Sequence, residues 1–100
     1  MIIISGHIAI DPANAEQAEA HMIELMTHTR EEPENLSYGF YPTLGQPGRY
    51  QLYEEWESQA GIDAHNVSAH FLAFMGLAGE LGITEAAINQ FAVSDKTKIM

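Results

Sequence analysis

Residues 49–74 read RYQLYEEWESQAGIDAHNVSAHFLAF. The first eight, RYQLYEEW, have the aromatic and alternating character of a strand. Tyr50, Leu52, Glu54 and Trp56 then share one face, and Gln51, Tyr53 and Glu55 the other. Ser58 is placed to cap a short helix over 59–65, and Ser68 a second one from 69 to about 81. His65 and His70 lie five positions apart, which on one unbroken helix would point them about 140° away from each other. A break at Asn66-Val67-Ser68 lets both rings turn toward one cleft. A strand closing into a broken helix is thus the seam of the fold.

Upstream, residues 2–10 (IIISGHIAI) read as a strand apolar on both sides. Ile2, Ile4, Gly6, Ile8 and Ile10 lie on one face, with Ile3, Ser5, His7 and Ala9 on the other. Asp11 followed by Pro12 is a helix start. Ala15, Ala18, Met22, Leu25 and Met26 keep helical spacing, which predicts a helix to about Glu32, stopped by Pro33. Residues 36–41 (LSYGFY) predict a strand, and the Pro- and Gly-rich 42–48 joins it to the strand at 49–56 as an antiparallel hairpin. Gly82 stops the last helix, and a final strand is expected from about Glu85. The tail, 95–100, is polar and expected to be loose or arm-like.

The order β-α-β-β-α(α)-β predicts one α+β domain over 1–100, of the ferredoxin-like split βαβ plan. Its four-stranded antiparallel sheet carries helices on one face. The other face would stay open, so a homodimer with sheet facing sheet is expected. A single domain of this length buries only about two-thirds of its unfolded surface.

Fourteen carboxylates stand against four basic residues, a net charge of −10. That balance argues against nucleic acid and anionic membranes as partners. The absence of cysteine excludes disulfides, thiolate nucleophiles and zinc–thiolate sites. The first ten residues lack a basic leader region, and no apolar run reaches 18 residues, so a cytoplasmic protein is expected.

YEEWESQAGIDAHNVSAHF resembles the signature of the antibiotic biosynthesis monooxygenase (ABM) family: an acidic residue and an aromatic at a strand end, a helix ending in His, then a second His followed by an aromatic. The segment EEPENLSYGFY is similar to that family's Glu-Pro-Gly-x-x-x-Tyr run, with Glu34 where glycine is usual. The likeness covers about residues 2–93. It implies a dimeric α+β barrel. Known members include cofactor-independent oxygenases of anthrones and quinols, an isomerase of a small phosphorylated signal and haem-degrading enzymes, so the fold alone does not settle the reaction. Where the haem-degrading branch has an essential asparagine and a haem-ligating histidine, this chain has His7 and, nearby, Met75. Neither haem nor another cofactor is expected.

Under the oxygenase reading, an electron-rich phenol or hydroquinone gives an electron to dioxygen once deprotonated. The protein supplies a base, a dry pocket and donors for developing charge. His65 or His70 is the candidate base. Glu54, beside an indole in a dry pocket, is a second acid–base candidate. Trp56 would wall the ring, and Tyr38 or Glu54 would orient oxygens. Tyr38, Phe71, Phe74 and His7 are the remaining candidate pocket residues for a small aromatic molecule. Against this stand ordinary structural roles: aromatics in the core, His65 on helix-end carbonyls, and His7 as a satisfied core histidine. His28 could reach a pocket mouth. Zinc on His65, His70 and a carboxylate is compatible with ligand type, but the spacing matches no zinc pattern, and no metal is expected. A non-catalytic small-ligand-binding or stress-response dimer, and an isomerase of a small carbonyl compound, are the competing readings.

Overall fold

The chain alternates strand and helix because its apolar spacing switches between two and about 3.6 residues. The computed structural model describes residues 1–100. In it, β1 (Ile2–Ile10) leads through a single 3₁₀ turn (Pro12–Asn14) into α1 (Ala15–Thr29). The hairpin of β2 (Asn35–Pro42) and β3 (Arg49–Trp56) follows, then α2 (Gln59–Asn66), α3 (Ala69–Leu77) and β4 (Ile83–Ala92). The sheet order is β2-β3-β1-β4 and every neighbouring pair is antiparallel. This is the ferredoxin-like split βαβ fold.

Strand alternation sorts the side chains. Ile8 and Ile10 of β1, Tyr38 of β2, and Tyr50, Leu52 and Trp56 of β3 are buried with Ala18, Met22 and Leu25 of α1, Ile62 of α2 and Phe74 of α3. The helices therefore cover the face that carries the even-numbered residues of β1 and β3. The other face of β1 is not closed off as the apolar run suggests: Ile3, Ser5 and His7 are only half-buried. All ten residues of β4 are exposed, Ile88 and Phe91 among them.

Two boundaries differ from the sequence expectation for identifiable reasons. The first helix ends at Thr29 instead of Glu32. The amides of Glu31 and Glu32 donate to the carbonyls of His28 and Thr29, three residues back, so the chain tightens into turns before Pro33. This frees Glu32 from the helix. Likewise α3 stops at Leu77, and residues 78–82 form turns that end at Gly82, whose φ of 70° favours glycine.

The start of α2 is fixed from β2's side. The Ser58 hydroxyl caps the helix through the Gly61 amide and donates to Glu34 Oε1 at 2.6 Å. A Cβ on Gly61 would lie 2.7 Å from the Glu34 Cβ, so the Glu34 side chain occupies the space a larger residue 61 would need. The tail is tethered at one point, where Lys96 Nζ reaches Glu55 at 3.0 Å.

Candidate active site

Ser68 makes the break that the two histidines require. Its hydroxyl donates to the His65 carbonyl at the end of α2 (2.7 Å) and accepts the Phe71 amide at the start of α3 (3.3 Å). One hydroxyl thus adds a bond to a terminal carbonyl of one helix, which the Ser68 amide also reaches, and caps a free amide of the next. The two rings end up with centroids 5.8 Å apart.

They converge on a group that sequence reasoning did not assign. Glu32 Oε2 lies 2.6 Å from His65 Nδ1 and 2.8 Å from His70 Nε2. An ionised carboxylate only accepts, so both of those ring nitrogens carry the hydrogen. In neutral His65 this leaves Nε2 with the lone pair, the tautomer a general base needs. Its sequence signal is weak: Glu32 lies 33 positions before His65, within the EEPENLSYGFY segment.

His65 is 3% exposed and lines a cavity of about 340 Å³ between the sheet and the broken helix. Twelve of its fifteen lining residues are hydrophobic, and Glu54, His65 and Asn66 are the others. Of the predicted pocket residues, Tyr38, Phe71 and Phe74 also line it. The His65 ring centroid is 4.9 Å from Phe71 and 5.5 Å from Tyr38.

Three predicted site residues stand elsewhere. His7 pairs with Gln51 in the β1–β3 register, on the sheet face away from the helices, and its Nε2 bonds Glu85 at 2.9 Å. An odd-numbered β1 residue cannot share a cavity with Ile4 and Ile8. Trp56 is fully buried behind the cavity and forms no part of its lining. It packs on His65 at 5.0 Å and donates its indole N–H to Glu54 Oε1 at 2.8 Å. His70 opens instead onto a separate groove with His21 and Glu24, and reaches the site through Glu32. His28 stacks on His70 at 5.7 Å and does not line the cavity.

Glu54 is buried on the cavity's sheet side. Desolvation raises its pKa to about 7, and the charge of Glu32 adds to the rise, while the indole N–H works the other way. A carboxyl in this state can give or take a proton near neutrality. Burial, with Glu54 and Glu32 nearby, holds the Tyr38 phenol well above the usual range, so it stays a neutral hydroxyl.

Glu32, His65 and His70 also have the donor chemistry of a divalent-metal site, with their ligand atoms within 4.8 Å of one another. A tetrahedral ion with bonds of about 2.1 Å would hold its donors roughly 3.4 Å apart. The separations of 2.6 and 2.8 Å are instead those of hydrogen bonds from nitrogen to a shared oxygen.

Fold and site together define a ferredoxin-like domain with a carboxyl and an imidazole, Glu54 and His65, set in an apolar cavity. The sequence pattern described as Antibiotic biosynthesis monooxygenase (ABM) matches residues 1–77, and the chain belongs to that family. It is 28% identical over 81 residues to the Bacillus subtilis (strain 168) protein named "Putative monooxygenase YcnE", covering 81% of this chain and 85% of that one. The structure of Rv0793 from Mycobacterium tuberculosis is 25% identical, with a TM-score of 0.86 over 97% of this chain and 98% of that one. A crystal structure from Deinococcus radiodurans, of a "putative antibiotic biosynthesis monooxygenase", shares the fold with a TM-score of 0.91 at 21% identity. It covers 100% of this chain and 99% of its own. No helix is long and apolar enough to cross a membrane.

Proposed function

We propose that this protein is a cofactor-independent monooxygenase of a small, electron-rich aromatic substrate of the quinol or anthrone type, working as a homodimer. The observation that carries the reading is the orientation of His65 by Glu32, which presents a base to an apolar cavity. At about 340 Å³ the cavity is at the small end of ligand sites, which run from about 300 to 1,000 Å³, and so suits a compact ring system. Membership of the ABM family points to the same chemistry. The edge strand β4, paired only with β1 and exposed along its whole length, supports a second copy as its cover.

Each proton in the proposed reaction has a place. For an anthrone in its phenolic tautomer, His65 Nε2 takes the hydroxyl proton, and Glu32 stabilises the imidazolium through Nδ1. The electron-rich carbon passes one electron to dioxygen, and the two radicals combine into a carbon–peroxide bond. The imidazolium returns its proton to the peroxide. The O–O bond then breaks as His65 Nε2, neutral again, takes the proton from the carbon and passes it to the departing hydroxide: one oxygen stays as a carbonyl and the other leaves as water. Glu54 donates to a substrate oxygen, and His70 is a positioning residue that gives Glu32 its second hydrogen bond.

The test is oxygen uptake by chelator-treated protein offered quinols and anthrones, with ¹⁸O₂ labelling of the product. One labelled atom per turnover is expected, and His65→Ala should cost at least about 100-fold in kcat/KM. An unchanged rate in that variant would remove His65 as the base. Conversion of a carbonyl compound without oxygen uptake would favour an isomerase built on the same Glu54 and His65 pair.

A further inference from the structure

The cavity is lined by one carboxyl, Glu54, and by no base of fixed charge, and Glu32 lies just outside the lining, hydrogen-bonded to His65. None of its lining residues is Lys or Arg. Arg30 is turned to the Tyr38 carbonyl, Arg49 is paired with Glu85, and Lys96 with Glu55. Lys98 lies in the exposed tail. Glu32 has only imidazoles as ion-pair partners. Glu54 has only the Trp56 indole as hydrogen-bond partner.

We infer that Glu54 and Glu32 make this cavity a charge filter, which admits uncharged or cationic aromatic ligands and rejects those that carry a permanent anion. A ligand with a sulfonate or phosphate would bring its charge into an apolar space beside Glu54, with Glu32 behind His65, where repulsion is far stronger than in water. A cationic ligand meets the opposite field and the faces of Tyr38, Phe40, Phe71 and Phe74, which attract positive charge. Turnover is compatible with this field. When His65 takes a phenolic proton, the proton stays within the site and the net charge there does not change. Burial raises the Tyr38 phenol and the Glu54 carboxyl, and the nearby carboxylates add to the rise, Glu54 and Glu32 on Tyr38 and Glu32 on Glu54.

The inference rests on the cavity being the substrate site, but it is tested by binding, without turnover. Dissociation constants are measured anaerobically at pH 8 and low salt for three matched hydroquinones. One carries a neutral sulfonamide, one a sulfonate and one an aminomethyl group. The sulfonamide and the amine are expected to bind at least about tenfold more tightly than the sulfonate. In Glu54→Gln the gap should shrink to about threefold or less, because the amide still accepts the indole N–H but carries no charge. The wild-type protein offers a check that needs no variant: the gap should narrow from pH 8 to pH 6 as Glu54 protonates. Among the titratable groups, Glu32 and His65 from the helical side and Tyr38 from β2 surround it. Equal binding of sulfonate and sulfonamide, a gap unchanged in Glu54→Gln, or no binding by any of the three overturns the filter. The oxygenase reading fails separately, if the sulfonamide binds well and is not consumed with oxygen in air.

Discussion

Glu54 and Glu55 are adjacent in the chain and meet opposite fates. Glu54 points under the helices, where desolvation lifts its pKa to about 7. Glu55 points to the open face, where the Tyr53 hydroxyl donates to it at 2.6 Å and Lys96 pairs with it. Those contacts hold its carboxyl below the usual range, the tyrosine bond first. Glu85, on the same open face, is likewise lowered by His7 and Arg49. One step along a strand separates a carboxyl raised by burial from one lowered by its hydrogen-bond partners. The sheet works as a partition: on the open face Glu55 and Glu85 have Lys96 and Arg49 as partners, and under the helices Glu54 has no ion-pair partner.

The partition can be broken most severely at Trp56, the side chain that fills the space behind Glu54. Trp56→Ala should lose about 4 kcal/mol of unfolding free energy in urea titrations, from lost burial and the cavity left behind. A loss below about 1 kcal/mol would mean the helical layer does not depend on it.

Glu54→Gln should act in the opposite direction. The folded carboxyl binds its proton more tightly than the unfolded one, with a pKa of about 7 against 4.5. Wild-type stability therefore falls as pH rises between these values, and the variant escapes that fall. Relative to its effect at pH 4, the variant should gain up to about 3 kcal/mol at pH 8. Parallel pH profiles for the two proteins would contradict the assigned burial.

Glu55→Gln reverses the sign. A lowered carboxyl pKa adds stability above its unfolded value, and the addition is lost as pH falls through the folded one. The variant should cost about 1 kcal/mol at pH 7, and the cost should shrink as pH falls below the ordinary carboxylate range, read from melts across that range. The smallest effect belongs to Lys96→Ala. That side chain is 63% exposed, and its removal should cost no more than about 0.5 kcal/mol, shrinking further in high salt.

Much of this was legible because it is local. Strand parity puts Glu54 and Trp56 on one face, and Ser58 and Ser68 cap the helices expected of them. The parity of β1 also separates His7 from the cavity: Ile2, Ile4, Ile8 and Ile10 lie on one face and His7 on the other. Trp56 was expected to wall the substrate, but so large an apolar ring is worth most when fully buried. Glu32 was not legible in the same way. Its role depends on a helix that ends a turn earlier than its spacing suggests and on partners 33 and 38 residues further on. No local pattern encodes such a contact.

The Ser58–Glu34 contact carries a lesson about descent. Glu34 stands where the family's run usually has glycine, and its side chain fills the space beside Gly61. The two positions behave as a single steric allele. A lineage that gains a side chain at 34 must keep residue 61 bare, and one that reverts to glycine at 34 is released to vary at 61. Gly61→Ala should be harmful alone and tolerated with Glu34→Gly, so the order in which the two changes arise would decide which paths between relatives are open.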